Sequence, residues 1–126
     1  MRVLLVDDEI ELVSAMAERL EMRGISAEWA VSAEEALKLI GDVCFDIAVL
    51  DVKMPETGGV ELMQRVRAKC PDTHFIFLSG HGSEQTYREV TDKCAEALYL
   101  VKPVDIQTLI EEMRDLMKCR ERRKNV

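Results

Sequence analysis

Hydrophobic residues along this chain occur in short continuous runs that alternate with longer stretches of helical spacing. Four of the runs consist mainly of consecutive apolar residues, which is typical of parallel strands that are covered on both faces. The run at 25–31 alternates between apolar and polar residues and therefore indicates an edge strand. Regular alternation of strands and helices favours an α/β fold with one doubly wound, five-stranded parallel sheet and five helices. The five predicted strands are residues 2–6, 25–31, 45–50, 74–79 and 97–101.

The helical stretches carry recognisable start signals. The second helix begins at Ser32, whose spacing from Glu35 is that of a capping box. The fifth begins after Asp105, which is a favourable N-cap residue. We expect the first helix to bury Ile10 as part of its apolar stripe. The fourth helix, after Ser83, has the thinnest stripe of the five.

Length and composition are those of one globular domain. The chain has 126 residues, of which 48% are hydrophobic and 33% are charged. Its net charge of −7 disfavours nonspecific binding to nucleic acid, because a phosphate backbone attracts cationic surfaces. No apolar stretch approaches the roughly 18 residues that span a bilayer, and the first residues do not resemble a signal peptide. We therefore expect a cytoplasmic domain that binds neither nucleic acid nor a membrane.

The four cysteines give no pairing signal. Cys44, Cys70, Cys94 and Cys119 are scattered, and no Cys-x-x-Cys motif is present. In a cytoplasmic protein such residues are usually reduced thiols that fill space in the core. The sequence therefore predicts four reduced cysteines.

Polar residues follow the predicted strands at their C-terminal ends. Asp7 and Asp8 follow the first strand, and Asp51 follows the third. Ser79 ends the fourth strand, and Lys102 follows the fifth. Because open parallel sheets collect ligand chemistry at this edge, we expect these residues to form one composite site.

The chemistry of such a site is that of phosphoryl transfer. Crowded carboxylates repel one another unless a cation compensates, and all-oxygen ligands suit Mg²⁺. Lys102, on a turn made rigid by Pro103, is a suitable partner for a phosphoryl oxygen. Ser79 adds a hydroxyl group, and Gly80 allows the backbone to approach a ligand closely. Asp51 would then be a nucleophile that forms an aspartyl phosphate.

A larger set of residues between Val3 and about Met117 forms a recognisable signature. It consists of Asp7-Asp8, Asp51, Met54-Pro55, Ser79, Tyr99 and Lys102-Pro103. In this order and at these strand ends, the set resembles the response-regulator receiver domains of two-component signalling. The resemblance implies a flavodoxin-like sheet with the strand order 2-1-3-4-5. It also implies a receiver domain over residues 1–119, followed by a short basic C-terminal tail over residues 120–126.

The resemblance implies a role for each residue that handles the metal or the phosphoryl group. Asp51 would accept the phosphoryl group from the phosphohistidine of a histidine kinase. Asp8 and Asp51 would bind Mg²⁺ directly, together with the backbone carbonyl of Lys53, and Asp7 would act largely through water. Lys102 would pair with the phosphoryl group.

Further roles concern switching and phosphoryl lifetime. Ser79 would move to hydrogen-bond the phosphoryl group, which the backbone at Gly80 would also contact. Tyr99 would then rotate into the space vacated near Ser79 and remodel the face formed by the fourth helix, the fifth strand and the fifth helix. Lys53 and His81 occupy positions at which family members tune phosphoryl lifetime.

The predicted function is a phosphorylation-activated signalling switch. It is not a metabolic enzyme and catalyses only its own Mg²⁺-dependent phosphorylation and dephosphorylation. Its partners would be a sensor histidine kinase or phosphotransfer protein and an output protein, with homodimerisation on phosphorylation as a further possibility. The chain is either a complete regulator or the receiver fragment of a longer one.

Three other functions fit the residues less well. A flavin-binding protein needs a phosphate-binding loop after the first strand, where Asp7-Asp8-Glu9 would repel a phosphate. A Mg²⁺-dependent phosphatase-like hydrolase usually needs a second acid two residues after its nucleophile, where this chain has Lys53. A receiver that is never phosphorylated is disfavoured by the complete set of acids.

Overall fold

The computed structural model describes residues 1–54, 57–80 and 97–124. It shows one five-stranded parallel sheet in the order β2-β1-β3-β4-β5, which confirms the predicted sheet. The fourth predicted helix, after Ser83, lies outside the described residues, so the helix labelled α4 is the fifth of the predicted helices. The elements are β1 (Arg2–Val6), α1 (Ile10–Met22), β2 (Ser26–Ala30), α2 (Ala33–Leu39), β3 (Ile47–Asp51), α3 (Gly59–Lys69), β4 (His74–Ser79), β5 (Leu98–Val101) and α4 (Ile106–Lys124).

The sheet separates two apolar layers, because successive side chains of a strand point to opposite faces. On β1, Leu4 and Val6 belong to the layer that packs with α2 and α3. Val3 and Leu5 belong to the layer that packs with α1 and α4. β2 is an edge strand, as its alternating sequence predicted, and β5 forms the other edge, which its apolar sequence did not indicate. Among the described helices, none is long and apolar enough to cross a membrane.

Two of the predicted helix starts are confirmed, and one predicted core residue is wrong. The Ser32 hydroxyl accepts a hydrogen bond from the Glu35 N–H at 3.2 Å, as a capping box requires. An Asp105 carboxylate oxygen accepts from the Thr108 N–H at 3.1 Å and caps α4. Ile10 was predicted to be buried but is 55% exposed. It is the first residue of α1, and the buried stripe of this helix begins only one turn later.

Glycines determine how two of the helices begin or end. Gly24 has a φ of 80° just after α1, a conformation that glycine adopts without strain, and the chain turns there towards β2. At the start of α3, a Cβ on Gly59 would collide with the backbone carbonyl of Asp51. The first turn of α3 therefore packs directly against the end of β3. Gly58 is the N-cap residue and supplies no side-chain cap.

A disulfide bond lies at the N-terminal edge of the sheet. Cys44, in the loop before β3, is bonded to Cys70, the C-cap residue of α3, and their Cα atoms are 5.7 Å apart. The prediction of reduced thiols is therefore wrong for these two residues. Because they are 26 positions apart in sequence, only the folded chain brings them together. Cys94 and the side chain of Cys119 lie outside the described part of the structure.

Candidate functional site

The predicted site residues meet at the C-terminal edge of the sheet. Asp51 and Ser79 are the last residues of the neighbouring strands β3 and β4. Asp7 directly follows β1, and Lys102 directly follows β5. These strands are adjacent and parallel, so their ends lie side by side. The strand ends surround an open cavity of about 220 Å³. It is lined by Asp8, Glu9, Asp51, Lys53, Ser79, Gly80 and Lys102.

Three carboxylates form a compact cluster within this site. One oxygen from each of Asp7, Asp8 and Asp51 lies within 4.8 Å of the others. Asp7 and Asp51 are 4% and 7% exposed, whereas Asp8 is exposed to solvent. The Asp7 carboxylate also accepts a hydrogen bond from the Glu9 N–H at 3.0 Å, which fixes its orientation. The cluster therefore has a buried floor and one open side.

Lys102 places its ammonium group among the acids. Its Nζ is 2.7 Å from Asp7 Oδ2 and 3.8 Å from Asp51 Oδ2. The Lys102 backbone N–H donates to the Ser79 carbonyl at 2.7 Å, so the end of β4 fixes the start of the turn that carries the lysine. One ammonium beside three carboxylates leaves an excess of negative charge, which favours the binding of a further cation.

Burial and neighbouring charges shift the pKa values of Asp51 and Lys102. Desolvation by burial, together with the nearby Asp7 carboxylate, raises the pKa of Asp51 to about 6, although Lys102 opposes the rise. Burial also disfavours the charged form of Lys102. The hydrogen bond to Asp7 and the charges of Asp51 and Glu9 together outweigh burial and raise the pKa of Lys102. Near neutral pH, Asp51 is therefore mostly a carboxylate and Lys102 is a cation.

Glu9 is a member of the site that the sequence analysis did not assign. It is the N-cap residue of α1, and its Oε1 is 3.6 Å from the Nζ of Lys102. The Glu9 side chain is 65% exposed, so solvent weakens this ion pair. In the sequence, the position of Glu9 directly after Asp7-Asp8 could have identified it as a residue of the site.

The remaining predicted residues surround this centre. Lys53 is exposed, and its backbone N–H lies 3.4 Å from Asp51 Oδ1. Gly80 is exposed directly after β4. Tyr99 is half-buried, packs in the layer that contains α3, and has a buried hydroxyl oxygen. His81 lies outside the described residues.

A family model of the response regulator receiver domain matches residues 3–114. The chain belongs to this family. It is a signalling module of two-component systems. The receiver domain is 34% identical over 117 residues to the transcriptional regulatory protein CpxR of Escherichia coli strain K12, an alignment that covers 93% of this chain and 49% of CpxR. This chain therefore spans about half the length of that relative.

Other similarities place receiver domains of this kind in different contexts. The chain is 33% identical over 120 residues to the sensor kinase CckA of Brucella abortus strain 2308, which covers 92% of this chain and 12% of CckA. It also resembles the crystal structure of a CheY-like response regulator receiver domain protein from Methanospirillum hungatei JF-1. That match has a TM-score of 0.87 and 29% identity, and it covers 97% of each chain. Similar domains thus make up part of longer proteins such as CpxR and CckA, and nearly all of the crystallised chain from Methanospirillum hungatei.

Proposed function

We propose that this receiver domain is a switch that is activated by phosphorylation of Asp51. The observation that carries the proposal is the position of the Asp51 carboxylate. It lies at the end of β3, beside two other acids and 3.8 Å from an ammonium group, and it lines an open cavity. A nucleophile, a cationic partner and access for a phosphoryl donor thus occur together.

The carboxylate cluster suits Mg²⁺ as the cofactor. Asp8 and Asp51 would bind the ion directly, with the backbone carbonyl of Lys53 as a further ligand and Asp7 acting largely through water. Mg²⁺ prefers oxygen ligands and retains several waters, which the open side at Asp8 would admit. When bound, the ion would neutralise part of the charge on the carboxylates and on the incoming phosphoryl group.

In the transfer step, a carboxylate oxygen of Asp51 attacks the phosphorus atom of a phosphohistidine. The P–O bond forms as the P–N bond breaks, and the electron pair of the P–N bond leaves with the imidazole. The Lys102 Nζ is 3.8 Å from Asp51 Oδ2 and 2.7 Å from Asp7 Oδ2. It would exchange its contact with Asp7 for one with a phosphoryl oxygen. The Ser79 hydroxyl and the backbone N–H at Gly80 would donate to other phosphoryl oxygens.

The response to phosphorylation would involve the neighbouring strand. Ser79 would move towards the phosphoryl group, and Tyr99 would occupy the space that it leaves. This exchange would remodel the face formed by β5, α4 and the predicted helix after Ser83, which lies outside the described residues. The change is a two-state one that is biased by new charge contacts. Lys53 and His81 would tune the lifetime of the phosphoryl group.

The proposed partners follow from this chemistry. A sensor histidine kinase or phosphotransfer protein would supply the phosphoryl group, and an output protein would bind the remodelled face, with homodimerisation as an alternative output. The phosphoryl donor and the output protein would act in the cytoplasm. The receiver domain would comprise residues 1–119, followed by a basic tail over residues 120–126. A second candidate, the receiver portion of a longer regulator, is favoured by the 49% coverage of CpxR.

Incubation with acetyl phosphate tests the proposal directly. With Mg²⁺ present, we expect a labile phosphoprotein that migrates more slowly on a phosphate-affinity gel. Chelation of the metal with EDTA should prevent labelling, and Asp51→Asn should abolish it. The matched control is Asp42→Asn, because Asp42 is an exposed acid outside the acid cluster. Labelling that persists in Asp51→Asn would place the acceptor elsewhere and contradict the proposal.

A further inference from the structure

The Cys44–Cys70 disulfide covalently closes the segment that contains the phosphoacceptor. Residues 44–70 include all of β3, Asp51 and all of α3. We infer that this cysteine pair is a reversible redox modification site whose state alters how firmly α3 is held against Asp51. The inference concerns the edge of the sheet opposite the proposed phosphorylation site, and it adds a second input to the domain.

One sulfur of the pair is accessible. Cys44 is exposed, whereas Cys70 is 2% exposed. Beside the bond is an open cavity of about 140 Å³, which is large enough for part of a small thiol. An incoming thiolate would therefore reach Cys44 first. The cavity is lined by Cys44, Phe45, Asp46, Cys70, Pro71, Asp72 and Thr73.

Hydrogen bonds outside the disulfide hold the adjoining chain segments in place. The Thr73 hydroxyl donates to the Phe45 carbonyl at 2.7 Å, in a buried position. The backbone N–H of Asp46 donates to the Arg2 carbonyl at 2.9 Å, and the His74 N–H donates to the Asp46 carbonyl at 2.9 Å. None of these bonds involves a cysteine, so we expect them to persist when the disulfide is opened. The two thiols would thus stay at a Cα separation compatible with closure, here 5.7 Å, so that the bond can form again.

The reaction is a two-electron thiol–disulfide exchange with a small thiol. A thiolate attacks the Cys44 sulfur, the S–S bond breaks, and the electron pair leaves on the Cys70 sulfur, which takes up a proton. A second small thiolate then attacks the external sulfur of the mixed disulfide and releases the Cys44 thiolate, which is protonated. The products are the protein dithiol and a small-molecule disulfide, and an excess of that disulfide reverses the sequence. In the cytoplasmic setting proposed above, disulfides are usually transient or redox-sensing rather than permanent.

Helix α3 connects this chemistry to the acceptor. The first turn of α3 contacts the Asp51 backbone at Gly59, and its C-cap residue is Cys70. The disulfide therefore anchors one end of a helix whose other end contacts the acceptor. Opening the bond would loosen the packing of α3 against the Asp51 backbone, which makes the geometry needed for phosphoryl transfer less well defined.

The test compares the wild-type chain with Cys44→Ser over a range of ratios of oxidised to reduced glutathione. After acid quenching, differential alkylation in denaturant and peptide mapping should show Cys44 and Cys70 becoming reduced together, at one reversible midpoint. Reduction should lower the melting temperature of the wild type by about 10 °C, because the closed loop is long. It should also slow acetyl-phosphate labelling by about twofold or more. Cys44→Ser should behave like the reduced wild type at every ratio, because serine at an exposed position leaves the core unchanged.

The inference is overturned if both thiols are alkylated in denaturant after equilibration with oxidised glutathione. It is also overturned if the oxidised and reduced forms melt at the same temperature, or if both are labelled at the same rate. Absence of labelling in both forms would instead contradict the proposed function. In that case, alkylation and melting still decide whether the redox site exists.

Discussion

Replacement of Asp51 with asparagine should stabilise the metal-free receiver domain, and the gain should increase with pH. Asp51 is 7% exposed and lies beside the carboxylates of Asp7 and Asp8. Its ionised form is therefore disfavoured in the folded state relative to the unfolded state. Asparagine has nearly the same shape as the protonated acid and carries no charge, so it removes this penalty.

The size and sign of the effect follow from the pKa. Burial, with the charge of Asp7, raises the pKa of Asp51 from 3.8 to about 6. Well below pH 3.8 the group is protonated in both states and does not destabilise the fold. As the pH rises through 6, the folded state must ionise a carboxyl group that the unfolded state ionises more easily. The wild type then loses about 3 kcal/mol of stability, an upper value that asparagine should recover in part.

The assay is urea denaturation of the wild type and Asp51→Asn in EDTA at about pH 4 and about pH 8. We expect nearly equal stability at the lower pH and an advantage of about 1–3 kcal/mol for the variant at the higher pH. Adding Mg²⁺ should reverse the trend, because a ligand at a hundredfold its Kd stabilises the wild type by about 2.7 kcal/mol and the variant lacks one metal ligand. An equal or lower stability of Asp51→Asn in EDTA at about pH 8 would refute the reasoning.

Three further substitutions test separate contacts. Lys102→Met leaves Asp7 and Asp51 without their cation, so the metal-free protein should lose about 1–3 kcal/mol in urea denaturation; no loss would mean that the ion pairs are not stabilising. Thr73→Val leaves the buried Phe45 carbonyl without its donor and should destabilise the fold by about 1–3 kcal/mol in the same assay. A change below about 0.5 kcal/mol would argue against that hydrogen bond. Gly59→Ala places a Cβ against the Asp51 carbonyl, so both the melting temperature and the rate of acetyl-phosphate labelling should fall, and unchanged values of both would contradict the close approach.

The sequence predicted the sheet and the location of the site because strand direction is easy to infer. Once the predicted strands are taken as parallel, Asp7, which follows Val6, and Asp51, which follows Leu50, must lie at the same edge of the sheet. The same reasoning could not predict that Lys102 Nζ lies closer to Asp7, at 2.7 Å, than to Asp51, at 3.8 Å. That difference depends on the turn after β5 and on the depth at which each carboxylate is buried. Neither of these can be inferred from the hydrophobic periodicity of the sequence.

Contacts between distant residues account for the errors. The disulfide depends on the approach of the loop before β3 to the end of α3, and the spacing of Cys44 and Cys70 gives no sign of it. Ile10 was predicted to be buried but is exposed, because an apolar residue at the start of a helix can project beyond the sheet.

The location of the phosphoryl group is the central claim. After labelling with acetyl phosphate and Mg²⁺, borohydride reduction converts an aspartyl phosphate to homoserine, and peptide mass spectrometry then locates it. The account predicts homoserine at position 51 in the wild type, in proportion to the gel shift. Homoserine at position 7 or 8, or a labelled protein with no homoserine at all, would contradict it.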